Sequence, residues 1–335
     1  MFVRGGEFVN AVLLKRLFRS ISDGRSDDLY KIARNIIEDE MKKGHTQLAK
    51  ELSNVLKTSP INKTIATFEI KPTELNVLPR SKRHETTLVT HVPTDRLEHH
   101  MVLPKAVEDR FLRIEREYAA RERLAQYGLL PRRKILLYGS PGCGKTMGAE
   151  RLALNTGLTF LKVRFDAIIS SYLGETAVNL RSIFDTAAKS PCLLFFDECD
   201  SIAKSRSAMQ EVGEIKRVVN SFLQLLDEYD APGLLVCATN LNNQLDYAIW
   251  RRFDDVIKIP KPGPDELRQL IEMTLSIAKV SKLDWEVLLD TSKGYSAAQI
   301  VRSARDALKK VVLEDSGRVT LEVLLEAIKE NRGVE

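Results

Sequence analysis

Cysteine is scarce in this chain. The four present, Cys143, Cys192, Cys199 and Cys237, form no Cys-x-x-Cys pair. That excludes a zinc ribbon and a disulfide framework, and points to free thiols in a reducing compartment. No apolar run approaches the roughly 20 residues that span a bilayer, so no membrane partner is expected. Met1 to Asn10 holds one arginine with no long apolar stretch behind it, so no secretory leader is expected and the chain reads as cytoplasmic. Neither His-Glu-x-x-His nor Gly-x-Ser-x-Gly occurs, so any proteolysis must come from another chain. Nor is one sign of charge in excess. The 51 basic and 46 acidic residues leave a net +5, too balanced to imply nucleic acid or a membrane surface. His84, His91, His99 and His100 crowd one segment without metal-ligand spacing, and read as solvated linker histidines. What remains is an ordinary globular composition, 44% hydrophobic and 29% charged over 335 residues, with length for two or three domains.

Against these absences, Gly139-Ser140-Pro141-Gly142-Cys143-Gly144-Lys145-Thr146 fits Gly-x4-Gly-Lys-[Ser/Thr], a phosphate-binding loop. Lys134–Tyr138 before it reads as a buried strand, and Met147–Leu154 after it as a helix. The glycines let backbone N–H groups curl round phosphates, and the helix N-terminus adds partial positive charge. Residues 139–147, from Gly139 to Met147, are therefore the expected nucleotide cradle. Lys145 would reach the β- and γ-phosphates of ATP, and the Thr146 hydroxyl would ligate Mg²⁺. The Cys143 thiol sits near the helix N-terminus, which predicts a thiolate whose alkylation blocks ATP binding.

Along the chain, residues 1–60 read as a small all-α N-terminal domain, and 61–100 as a linker or small irregular subdomain with a short strand near Thr86–Thr90. Pro104 to Tyr127 reads as one charged helix with a solvated face. Residues 101–262 form an α/β nucleotide-binding subdomain. Its strands near 134–138, 159–163, 192–196, 234–238 and 256–259 predict a parallel five-stranded sheet covered on both faces. Residues 263–335 read as a helical lid, with helices near 264–277, 284–290, 296–313 and 319–331.

Two further strands end in chemistry. Leu193-Leu194-Phe195-Phe196 delivers Asp197 and Glu198 to the edge where α/β sheets bind ligands. There Asp197 would hold Mg²⁺ through water, and Glu198 would act as general base on the attacking water. Leu234–Thr239 ends at Asn240, which would orient that water. The stretch Leu245–Asp254 then carries the pair Arg251 and Arg252.

Together these motifs resemble the AAA family of ATPases, in the clade with a second region of homology, over about residues 100–335. The resemblance implies a P-loop NTPase fold and a ring, usually a hexamer. Arg251 and Arg252 would be its paired arginine fingers, acting on the neighbouring subunit's nucleotide. Gly294-Tyr295-Ser296-Ala297-Ala298-Gln299-Ile300 resembles the family's lid stretch, with Ala297 and Gln299 replacing its Gly and Asp. Ala297 and Ala298 would let the helix approach the adenine. No second-sensor arginine is present, and Arg302 lies farther along the helix.

Ser170-Ser171-Tyr172-Leu173-Gly174-Glu175 resembles the family's first pore loop. Tyr172 and Leu173 would grip a polypeptide by sterics and apolar contact, and Gly174 would let the loop flex. The implied function is an ATP hydrolase whose homo-oligomeric ring remodels or unfolds a protein substrate. The alternative is a nucleotide-dependent switch acting on a partner protein, a protease among the candidates. The helical unit before a single ATPase module resembles stand-alone bacterial members of the family, some encoded beside a subtilisin-like protease. A nucleic-acid motor or loader would rest on Arg132, Arg133, Lys134 and the basic residues flanking the pore loop; Tyr172, the missing second-sensor arginine and the balanced charge stand against it.

Overall fold

Short apolar runs pair into one sheet. Its strands are β1 (Val89–Val92), β2 (Lys134–Tyr138), β3 (Thr159–Val163), β4 (Cys192–Phe196), β5 (Leu234–Thr239) and β6 (Asp255–Lys258), in the order β1-β3-β4-β5-β2-β6. The computed structural model describes residues 78–79, 87–164, 168, 173–199, 212–240, 250–315 and 317–333. The chain divides into two compact units, Met1–Thr67 and Phe68–Glu335, and every described residue belongs to the second. The expected helices of residues 1–60 and most of the expected linker lie outside the described residues.

The five expected strands are the five parallel ones. The short strand expected near Thr86–Thr90 falls at Val89–Val92 and joins the same sheet as β1, pairing antiparallel with β3 from Val89↔Val163 to Val92↔Phe160 and covering that edge. The period of two sorts each strand between two cores. Leu136, Leu194 and Phe196 face one layer, with Leu180, Phe184 and Phe222. Ile135, Leu137, Leu193 and Phe195 face the other, with Phe111, Ile114 and Leu152.

The helices that cover these faces are α1 (Lys105–Ala119), α2 (Arg121–Gln126), α3 (Lys145–Thr156), α4 (Leu173–Lys189) and α5 (Val212–Glu228). The single helix expected over Pro104–Tyr127 is two, because Ala120 leaves helical geometry at φ −96°, ψ 13°. Its charges are not simply solvated either. Burial of Phe111, Ile114 and Tyr118 turns α1 so that Glu108 clasps Arg151 bidentately at 2.6 and 2.7 Å, with Glu115 on the same guanidinium at 3.1 Å. Arg110 pairs with the buried Asp255, and Glu117 with Arg132. These pairs fix α1 to α3, to β6 and to the start of β2.

The remaining helices are α6 (Pro264–Thr274), α7 (Trp285–Thr291), α8 (Ala297–Leu313) and α9 (Leu321–Glu330). They bury a core of their own around Leu270, Ile271, Leu288, Ile300 and Leu324. The Tyr295 hydroxyl donates to the Ile328 carbonyl at 3.1 Å and ties the start of α8 to the end of α9.

Candidate nucleotide-binding site

β2 lies between β5 and β6, so the strand order reverses beside it, and the expected phosphate loop leaves its C-terminal end. Such a reversal point is where open α/β sheets bind ligands. Gly139 has φ +151°, and a Cβ there would collide with the Ile259 carbonyl, whose residue docks by N–H to the Tyr138 carbonyl at 2.8 Å. Glycine is thus required where the loop turns off the strand. Lys145 opens α3 and is buried; its Nζ donates to the carbonyls of Gly139 and Ser140, each at 2.9 Å. The ammonium therefore sits over the loop, beside Pro141 and Gly142, which are exposed. Met147 follows in the first turn of α3.

Strand register brings the other motifs to the same edge. Tyr138 is level with Thr239, and Phe196 with Cys237. Asn240 therefore emerges between the end of the loop strand and the end of the acidic strand. The Cys199 N–H donates to the Ala238 carbonyl at 2.9 Å and ties the Asp197–Cys199 turn to β5. Asp197 Oδ2 accepts the Thr146 hydroxyl at 3.3 Å, and Asp197 Oδ1 accepts the Glu198 N–H at 3.1 Å. Glu198 is exposed with φ +50°, in the left-handed region that costs a non-glycine residue about 1–3 kcal/mol. Strain of this kind clusters at functional sites.

A hard oxygen-ligated cation fits this donor set: a hydroxyl and a partly exposed carboxylate already within hydrogen-bond distance. One residue at this spot escaped the sequence reading. The Lys162 ammonium pairs with Asp197 Oδ2 at 2.8 Å. The signal was there: Lys162 breaks the apolar run Thr-Phe-Leu-Lys-Val, one strand away from the acidic pair.

The lid reaches the loop directly. The Ala298 N–H donates to the Gly142 carbonyl at 2.9 Å, and Ala297 lies beside it in the first turn of α8. Gln299, where the resemblance led one to expect Asp, completes a capping box: its side chain accepts the Ser296 N–H at 2.8 Å, while Ser296 Oγ accepts the Gln299 N–H at 3.3 Å. Arg302 is 60% exposed and lies 3.9 Å from Asp306 on its own helix, so it does not supply a second sensor within the chain.

Three expectations change. Cys143 is buried, and burial pushes its thiol up from the ordinary cysteine range, with the Lys145 and Lys261 charges offsetting only part. Burial therefore opposes the thiolate expected from the helix N-terminus. α4 already begins at Leu173, so Leu173 and Gly174 belong to its first turn rather than to a free loop, while Tyr172 lies outside the described residues. Finally, the basic run that allowed a nucleic-acid reading is engaged within the chain. Arg132 pairs with Glu117, Arg133 with Asp230, and Lys134 Nζ donates to the Leu226 carbonyl at 3.3 Å.

Arg251 and Arg252 lie in the turn before β6. The Asp254 carboxylate accepts the N–H groups of Arg133 and Lys134 at 2.8 and 2.9 Å at the start of β2, while Trp250, just before Arg251, packs edge-on against Tyr138 at its end. Arg252 is held by Asp227 of α5 at 2.9 Å, whereas Arg251 is exposed.

A phosphate loop at the reversal point of a parallel sheet, with an acidic pair on a neighbouring strand, defines a P-loop nucleotide hydrolase fold. Residues 135–261 match the family model for the ATPase family associated with various cellular activities (AAA). The chain is 36% identical to the uncharacterized AAA family ATPase y4kL of Sinorhizobium fredii over 90% of its own length and 89% of that protein. It is 32% identical to the proteasome-activating nucleotidases of Methanothermobacter thermautotrophicus and Methanosarcina mazei, over 64% of this chain and 54% and 53% of theirs. It thus spans about half of each nucleotidase. The chain belongs to the AAA family of ATPases, and its reaction is ATP hydrolysis. No helix among the described residues is long and apolar enough to cross a membrane.

Proposed function

We propose that this ATPase works as a subunit of a cytoplasmic ring, a hexamer by analogy with its family, that remodels a protein substrate. The observation that supports the ring is the placement of the arginines: Arg252 is held by Asp227 of α5, and Arg251 is exposed. Asp254, just after them, is bonded to the start of β2, while Trp250, just before them, packs edge-on against Tyr138 at a ring separation of 5.0 Å. An exposed Arg251 is free to meet a nucleotide on a neighbouring subunit, as the family's arginine fingers do.

Within each site, backbone N–H groups from Gly142 to Thr146 and the Lys145 ammonium hold the phosphates. Thr146 and Asp197 would hold Mg²⁺, which would supply charge neutralisation at the phosphates when bound. Glu198 takes the proton of the attacking water, Asn240 orients that water, and the neighbour's Arg251 meets the charge that spreads over the γ-phosphoryl. Ala297 and Ala298 couple the loop to the lid, so changes at the γ-phosphate reach the subunit interface. Tyr172, with Leu173 and Gly174 behind it, would carry that movement to the substrate. A second reading, a switch that governs a partner protease, is favoured by relatives whose name states activation of a proteasome.

The test is ATPase rate against protein concentration with light scattering alongside, for wild type and for Arg251→Ala/Arg252→Ala. Specific activity should rise steeply as the protein assembles, and the double variant should bind ATP without turnover. Mixing Lys145→Ala with Arg251→Ala subunits should restore part of the activity. Flat specific activity with no complementation would leave each subunit working alone, and the ring reading would fail.

A further inference from the structure

Asp197 Oδ2 already carries a cation. Lys162 stands level with Phe195 across the β3–β4 pairing, so strand register delivers it to the last turn of the acidic strand. Its ammonium lies 2.8 Å from Asp197 Oδ2, the same oxygen that accepts the Thr146 hydroxyl at 3.3 Å, and 5.8 Å from the centre of the Phe195 ring. Glu150, one turn beyond Thr146 on α3, is engaged by the Glu98 N–H, which its carboxylate accepts at 3.0 Å.

A divalent ion held by Thr146 and Asp197 has to share that oxygen with the ammonium or displace it. Either way a like charge sits within a few ångströms of the metal and opposes its binding. We propose that Lys162 is a positioning residue that holds Asp197 against Thr146 as an internal cation and thereby sets the Mg²⁺ concentration the site requires. This rests on Thr146 and Asp197 being the metal pair.

The experiment follows binding of a fluorescent ADP analogue to the full chain while Mg²⁺ is titrated at fixed nucleotide. For Lys162→Met, and for Lys162→Gln as a second neutral variant, the half-saturating Mg²⁺ concentration should fall several-fold below wild type. Lys162→Arg, which keeps the charge, should stay near wild type. Neutral variants with the wild-type half-point, or with a higher one, would overturn the proposal. Asp197→Asn separates the two levels. If it abolishes the Mg²⁺ response while the lysine variants leave it alone, only the role of Lys162 falls. If wild type shows no Mg²⁺ response, or Asp197→Asn keeps it, the metal-pair reading fails and the inference falls with it.

Discussion

The Ala298 N–H donates to the Gly142 carbonyl at 2.9 Å, so the first turn of α8 is bonded to the middle of the phosphate loop. Gly142 has φ +70°, and a Cβ on it would lie 2.8 Å from Ser296 Oγ and 3.2 Å from Ala298 Cβ. Gly142→Ala should therefore cost about 1–3 kcal/mol through left-handed strain alone and part the lid from the loop. Thermal unfolding should fall by a few degrees, and nucleotide affinity should fall with it. Full affinity in Gly142→Ala would show that the lid contact is dispensable.

Glu198→Gln should bind ATP as wild type does and lose about 10²–10⁴ in turnover, the usual worth of a positioned base. Single-turnover hydrolysis with pre-bound ATP separates the two steps. Normal hydrolysis in this variant would place the base elsewhere. Glu198→Gly should lose turnover too, yet unfold no earlier than wild type, because glycine accepts φ +50° without strain.

The two arginines should not behave alike. Arg251 is exposed, and Arg251→Ala should lose turnover by about 10³–10⁵ with its thermal stability intact. Arg252 is tied to Asp227, so Arg252→Ala and Asp227→Ala should share whatever defect that pair governs. Assembly measured by light scattering is the readout. A defect in Arg252→Ala that Asp227→Ala does not share would free Arg252 for a role of its own.

Cys143 should alkylate slowly at neutral pH. Burial raises its thiol, so the reactive thiolate gains only above the ordinary cysteine range. The rate of iodoacetamide labelling against pH should still be climbing where an exposed cysteine has levelled off. A plateau below that range would restore the thiolate expectation. ATP should slow the labelling in either case, since Cys143 lies in the loop.

Much of this protein was legible in the order of its residues. A run such as Cys-Leu-Leu-Phe-Phe can only be a buried strand, and its carboxylates can only emerge at one end. Gly139 to Thr146 specify a loop because few other residues tolerate its backbone. Those are local facts: propensity, period and allowed dihedral angles fix them before the chain meets itself. Helix α1 shows the limit, for its charges look solvated in sequence and are paired across to α3 and β6 in the fold. Cys143 shows it again: sequence gives the helix N-terminus, but only packing gives the burial that raises the thiol. The Lys162–Asp197 pair is likewise a product of strand order. β3 precedes β4 by some thirty residues in the chain, roughly 100 Å of extended backbone, yet stands beside it in the sheet. Contacts between residues so far apart along the chain depend on which strands pair and in which register, and that was decided by burying two apolar faces at once.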